Sequence, residues 1–333
     1  MRICVIFTGG TIGSVLDETG YIGPKEGTTF RVLKQFKEEY NEDIEFEIIE
    51  PYRILSENLD AGHLTKLFSA VKDVLEKNEV DGIIVTHGTD TLQYGAAMLG
   101  YVFGGATIPI VLVSSNYVLD DIRANGLINF RYAVEFIKGQ YGAGVFVSYC
   151  NKGESPTIHR GTRLQPLVPY SDYVASVQDT WYGRFEKGDY IPNSEYRVID
   201  GQLALCSDDK KIQLTKDARG ILFIHPSIGM TYPKLTDEIR VVLHGSYHSG
   251  TIGVGESLQR FVQETRRLQT PIYLTGLLSG ADAYETVQAY RDLGIRPLHT
   301  SSEIAQYCKL WLALSNELDI ECVMGTSVAE DWI

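Results

Sequence analysis

The sequence predicts an α/β protein, with a larger N-terminal doubly wound, mostly parallel sheet and a smaller C-terminal α/β domain. Three observations carry that expectation. Short apolar runs rich in β-branched residues recur, as in Ile3-Cys4-Val5-Ile6-Phe7 and Gly82-Ile83-Ile84-Val85-Thr86. Runs that are apolar throughout read as strands buried on both faces, as in parallel sheets. Segments of helical periodicity separate them up to residue 150, the alternation of a doubly wound sheet. The same alternation resumes near residue 219 after a looser, proline-bearing stretch. The expected organisation is therefore an N-terminal α/β domain over 1–188, a linker over 189–218 and a smaller α/β domain over 219–333.

The first strand leads into Thr8-Gly9-Gly10-Thr11-Ile12-Gly13. Two glycines allow a sharp turn and a close backbone approach to a ligand. In open parallel sheets, ligands bind beyond the carboxyl ends of strands, so Thr11 is the first candidate for a reacting group. Tyr21 follows between Gly20 and Gly23-Pro24, a turn or hairpin in which it is either surface packing or a lid residue closing over Thr11.

Residues 28–39 have helical spacing and 44–52 alternate like a strand. The polar cluster Leu55-Ser56-Glu57-Asn58-Leu59-Asp60 then stands where a helix over 61–77 needs a cap, and equally where a strand end meets the Thr11 loop. After the strand at 82–87, Gly88-Thr89-Asp90-Thr91 precedes a helix over 92–99. Thr89 and Asp90 read as N-cap residues, or as a helix N-terminus that receives an anionic substrate group. A strand at 108–113, a helix at 125–137 and a strand at 144–148 complete the first half. Pro156, Pro166, Pro169 and Pro192 mark 154–217 as connecting. Beyond it the pattern predicts a strand at 220–226, helices at 233–243 and 255–268, a strand at 271–275, and a helix at 303–316 opened by a Thr300-x-x-Glu303 capping box.

Composition narrows the class. A chain of 333 residues with 44% hydrophobic and 22% charged residues is ordinary for a globular protein. The N-terminus reads as a strand and not as a signal peptide, and no apolar run approaches the roughly 20 residues of a membrane span. Five cysteines, widely spaced and mostly among apolar neighbours, read as reduced residues of a cytoplasmic protein. No cysteine pair or histidine spacing suggests a metal, and no cofactor is expected. A net charge of −13 argues against nucleic acid or an anionic membrane as partner.

Taken together, Thr-Gly-Gly-Thr-Ile-Gly at 8–13 and His-Gly-Thr-Asp-Thr-Leu at 87–92 resemble the two signature blocks of the bacterial-type L-asparaginase family. Ser56-Glu57-Asn58 falls between them, where that family has its substrate-binding serine loop. The resemblance runs the length of the chain, to Lys309-Leu310-Trp311-Leu312-Ala313-Leu314. It implies hydrolysis of the side-chain amide of L-asparagine, or of a related small amino-acid amide, through an acyl-threonine. Thr11 would be the nucleophile, Tyr21 the lid residue bonded to it, and Thr89 part of the second catalytic group, with Asp90 positioned at the substrate's amino group. Ser56 and Glu57 would hold the substrate, with Gly10, Gly88 and Ser115 as further substrate-binding positions. The family analogy also implies a homodimer or homotetramer whose loops at 248–251 and 280–286 reach a neighbour's site.

The resemblance breaks at one place that matters. The family's lysine follows an Arg-Gly-Asn-Arg-like stretch, which here is Arg160-Gly161-Thr162-Arg163. One register puts Pro166 at the lysine's position and another puts Arg163 there as a replacement. Val113-Ser114-Ser115 and His248-Ser249-Gly250-Thr251 also depart from the family pattern. A guanidinium supplies charge but cannot act as a base at working pH. The sequence thus leaves two functions open: an asparaginase-like amidohydrolase, or a catalytically silent amino-acid-binding protein on the same scaffold.

Overall fold

A computed structural model describes residues 1–16, 21–24, 30–40, 42–205, 213–215, 218–276 and 284–333. The loop proposed at 280–286 and the polar run at 207–211 lie largely or wholly outside them. In chain order the first half contains β1 (Arg2–Phe7), β2 (Ser14–Leu16), β3 (Ile22–Pro24), α1 (Arg31–Tyr40), β4 (Glu45–Ile49), α2 (Ala61–Lys77), β5 (Gly82–Thr86), α3 (Leu92–Phe103), β6 (Pro109–Val113), α4 (Gly126–Lys138) and β7 (Gly144–Tyr149). Three antiparallel additions follow: β8 (Thr157–Arg160), β9 (Gly183–Glu186) and β10 (Asp189–Pro192). The second half contains β11 (Ile221–Ile224), β12 (Val241–His244), α5 (Glu256–Arg267), β13 (Ile272–Leu274), α6 (Glu285–Asp292), β14 (Arg296–Pro297), α7 (Glu303–Ser315) and α8 (Ile320–Met324).

The larger sheet has the order β10-β9-β8-β7-β6-β5-β1-β4, parallel from β7 to β4. The smaller sheet, β11-β12-β13-β14, is parallel throughout. This is the predicted class: a mixed α/β chain with a large, mostly parallel sheet and a separate smaller one. Strand pleating explains the continuous apolar runs. In β1, Cys4 and Ile6 enter a cluster with α2 and α3, while Ile3, Val5 and Phe7 enter another with α1 and α4.

The strand order also fixes where a ligand site can form. β1 pairs with β4 on one side and β5 on the other, so the chain leaves β1 and β5 at a topological switch point. The Thr11 loop and the Thr89 loop lie side by side there. Ile54 ties a third loop to them, donating its N–H to the Thr8 carbonyl (3.2 Å) and accepting the Gly10 N–H (2.9 Å). Gly10 sits at φ 74° and ψ −179°, a conformation essentially restricted to glycine. A Cβ there would come within 2.5 Å of the Gly88 Cα.

Several local expectations change. Residues 233–240 form no helix, and the apolar end of that segment, Val241–His244, is the central strand β12. The stretch read as connecting holds β8, β9 and β10, which extend the larger sheet. Of the polar cluster expected to cap α2, Asp60 does so by accepting the His63 N–H (2.9 Å), whereas Ser56 and Asn58 form a separate single turn. Ser302 rather than Thr300 caps α7, accepting the Ala305 N–H (3.3 Å). The described cysteines are free; Cys4 and Cys308 are buried, while Cys322 is exposed.

The two sheets share one seam. Ile304, Ala305, Cys308 and Leu312 of α7 belong to the same buried cluster as Met98 and Leu99 of α3. Beneath them Lys309, 1% exposed, donates to an Asp331 Oδ2 at 2.8 Å and to the Thr326 carbonyl at 2.6 Å. Tyr101 of α3 donates its hydroxyl to the same Asp331 oxygen at 2.9 Å. Lys309→Met is expected to lower the unfolding free energy by about 3–5 kcal/mol, because a buried carboxylate loses its cation. Urea denaturation measures this, and a loss under about 1 kcal/mol would match an exposed pair instead. Gly10→Ala is expected to cost at least about 1–3 kcal/mol in the same assay, from backbone strain alone.

Candidate active site

The switch-point cavity, of about 450 Å³, is lined by Thr11, Thr89, Asp90 and Asn116 on one side and by residues 167–172 on the other. Thr11 opens a single 3-10 turn held by Gly13 N–H to the Gly10 carbonyl (3.1 Å), while Ser14 Oγ donates to the same carbonyl (2.8 Å). Those bonds satisfy backbone groups that the glycine turn leaves unpaired, and they fix where the Thr11 side chain begins.

Thr89 and Asp90 come from the loop after β5. Neither caps a helix: Thr91 precedes α3, and no side-chain cap bond forms. Thr89 Oγ1 donates instead to the Ser115 carbonyl (3.1 Å). Asp90 is exposed to the cavity, with Ser56 Oγ donating to its Oδ2 at 3.5 Å. Thr91 Oγ1 donates to the Ser56 carbonyl (3.2 Å), so the loops of the two signature blocks are joined through Ser56. Gly88 leaves room for Ser56, whose Cβ and Oγ a side chain at 88 would overlap.

His87 completes the second block but is a packing residue here. It is buried, and its Nδ1 lies 2.9 Å from the Gly88 carbonyl, which can only accept, so Nδ1 carries the hydrogen. Burial pulls the imidazole pKa down and holds the ring neutral. Its Nε2 lies against α3 at Gly95, where a side chain would collide with it.

The other predicted positions are distributed as follows. Gly10, Gly88 and Ser56 line a small cleft with Tyr52 beneath the cavity. Ser115 is buried and donates its hydroxyl to the Tyr117 carbonyl (2.5 Å), contributing its own carbonyl to Thr89. Glu57 is exposed, and Tyr21 is 75% exposed; neither is among the described residues that line the cavity.

Arg163 is not a replacement for a lysine in this cavity. Its side chain is fully buried and directed at the C-terminal segment. It donates Nε–H to the Glu330 carbonyl (2.7 Å) and Nη2–H to the carbonyls of Arg197 (2.7 Å) and Trp332 (2.9 Å). The guanidinium also lies over the Tyr196 ring at 4.1 Å. A fork of planar donors suits several carbonyls at once, which explains an arginine at this position. Among the described residues, the cavity is lined by no lysine or arginine.

Sequence reasoning missed the opposite wall, residues 167–172, and Asn116. Pro166 and Pro169 flag that stretch, since they bar regular structure just after the Arg160–Arg163 run. Tyr170 stands there with a left-handed backbone, φ 64°, and a fully exposed ring. Among the described residues no cluster of three His, Cys, Asp or Glu side chains could hold a metal ion, and no helix is long and apolar enough to cross a membrane.

Comparison with known proteins gives three results. The N-terminal asparaginase domain matches residues 2–187, more than half of the chain. The L-asparaginase of Thermococcus kodakarensis has the same fold, with a TM-score of 0.78 at 22% identity, over 100% of this chain and 99% of that one. L-asparaginase I of Vibrio cholerae gives 0.75 at 18% identity, over 100% and 99%. Among curated proteins, a glutamyl-tRNA(Gln) amidotransferase subunit from Sulfurisphaera tokodaii is 26% identical, over 96% of this chain and 72% of its own length. Its counterpart in Sulfolobus acidocaldarius is also 26% identical, over 98% and 75%.

Those relatives overturn the partner expectation. They are named as one subunit of an amidotransferase and carry a tRNA in their name, against the expectation of no nucleic acid and a homodimer or homotetramer. A net charge of −13 sums over the whole chain and does not describe a local contact surface. The two signature loops meet in one cavity at the switch point of an asparaginase fold, and the chain belongs to the asparaginase family.

Proposed function

We propose that the chain is an amidohydrolase that hydrolyses the side-chain amide of asparagine or a related small amide through an acyl-threonine. The observation that supports this most is the convergence of Thr11, Thr89 and Asp90, from two adjacent strand ends, on one cavity. In this reading Thr11 Oγ1 adds to the amide carbon, and its proton passes toward the Thr89–Asp90 side of the cavity. Ammonia leaves with a proton, and water then hydrolyses the ester to release the carboxylate. Backbone N–H groups near Thr89 are suited to the oxyanion. Asp90, held by Ser56, is suited to a substrate ammonium group. Tyr21 would act only after closure of its hairpin, which carries it toward Thr11.

A second reading concerns the setting of the same chemistry. The similarity to glutamyl-tRNA(Gln) amidotransferase subunits supports a chain that works on its amide within a larger assembly, with a partner protein and a glutamyl-tRNA present. Under that reading the isolated chain turns over slowly, and adding both components raises the rate.

Ammonia release from L-asparagine and L-glutamine tests the chemistry. Thr11→Ala is expected to lower kcat/KM on the order of a thousandfold while leaving the fold intact by circular dichroism. No release from either amide by the wild-type chain, alone or with partner and tRNA, would favour the silent binding protein. Pro166→Lys is expected to raise kcat by about tenfold or more, placing an ammonium beside the cavity wall. Arg163→Lys is expected to give no gain, since that position faces the C-terminal carbonyls.

A further inference from the structure

A second cavity, of about 400 Å³, lies behind the segment that walls the first. Its floor is one face of β8 and β9, where Thr157 pairs with Arg184 and His159 lies two residues along on the same side. The hairpin residues Asn151 and Glu154 form one wall; Tyr173, Asp179 and Trp181 form the other. Residues 167–172 line the Thr11 cavity and 173–175 line this one, so a single stretch of chain separates them.

The cavity is built, not incidental. Asn151 is buried and clamps Val174 from both sides, accepting its N–H (2.9 Å) and donating to its carbonyl (2.9 Å). The same amide donates to Glu154 Oε2 at 3.1 Å, which orients that carboxylate. His159 is 3% exposed, and its Nδ1 is 2.9 Å from Ser176 Oγ. Among the described residues its Nε2 has no hydrogen-bond partner. A buried ring nitrogen without a partner is costly and calls for one. Burial drives the ring's pKa down to about 4, so it is neutral near pH 7 and one nitrogen is an acceptor.

The charges select the ligand. Arg184 lies over the Trp181 ring at 5.0 Å and pairs with Glu186 at 2.5 Å, so its charge is already compensated. Glu154 and Asp179 are the carboxylates of the lining, and the Tyr173 ring stands with them. Carboxylates beside an aromatic ring, with a neutral imidazole acceptor at the floor, form a receptor for an ammonium group. We propose that this cavity binds a small organic cation carrying a primary ammonium group, held by Glu154, Asp179 and His159 Nε2. The ammonium would fix the tautomer in which Nδ1–H donates to Ser176 Oγ.

Calorimetric titration of the full chain with 1,4-diaminobutane, with 1,4-butanediol as the neutral isostere, tests this. Saturable binding of the diamine alone is expected, weakened by about tenfold or more in Glu154→Gln and in Asp179→Asn. Thr11→Ala should bind it as the wild type does, which separates this site from the amide chemistry. The absence of saturable binding would overturn the proposal and leave His159 Nε2 to an ordered water. So would equal affinity for the diol, or unchanged affinity in both variants, which would assign the binding to the chain's overall charge.

Discussion

A close approach of backbone to backbone at the switch point governs everything around it. Gly10 and Gly88 come from loops after neighbouring strands, and neither has space for a side chain. Parallel pairing of β1 with β5 sets the two loops about one strand spacing apart, ~4.8 Å. At that separation only glycines let the loops cross, and the residues just beyond them, Thr11 and Thr89, are carried onto a common cavity. Ile54 and Ser56 then bind both loops, so the third segment is positioned by the first two.

A second constraint operates far from that cavity. The C-terminal segment is pinned by buried polar groups, Lys309 and Tyr101 on Asp331, Arg160 on Glu330 at 2.6 Å, and Arg163 on the Glu330 and Trp332 carbonyls. Lys309 and Arg160 are paired with carboxylates, and Arg163 is held by backbone carbonyls, conditions under which burial of charge is tolerated. Thr162 adds a hydroxyl to the Ala329 carbonyl at 2.8 Å. The Arg160-Gly161-Thr162-Arg163 run therefore fastens the chain's end to the larger sheet, and its chemistry is structural. The wall of the cavity begins a few residues later, with side chains whose positions depend on that anchor.

Strands buried on both faces were legible because their signal is local: a continuous apolar run leaves few alternatives. Thr11, Thr89 and Asp90 were legible for the same reason, as hydroxyls and a carboxylate placed directly after such runs. Antiparallel β8 to β10 were not, since short strands carrying arginine, tyrosine and proline have weak patterning and are added one upon another from β7 outward. Residues 233–243 contain helical spacing by chance; Val241–His244 becomes a strand because β11 and β13 lie on either side of it. The cap of α7 lies two residues further on than the Thr300 expectation, at Ser302, whose hydroxyl accepts the Ala305 N–H.

The sequence by itself determined the α/β class, the parallel first half and the glycine-hydroxyl loops, because these follow from side-chain periodicity and from conformations that glycine alone adopts. Tertiary structure decided which polar residues face a common cavity. It turned Arg163 toward the chain's end, set Tyr21 and Glu57 outside the cavity, and brought residues 167–172 opposite Thr11. Those outcomes depend on contacts between segments distant in the chain, and no local pattern encodes the direction in which a long side chain finds its partners.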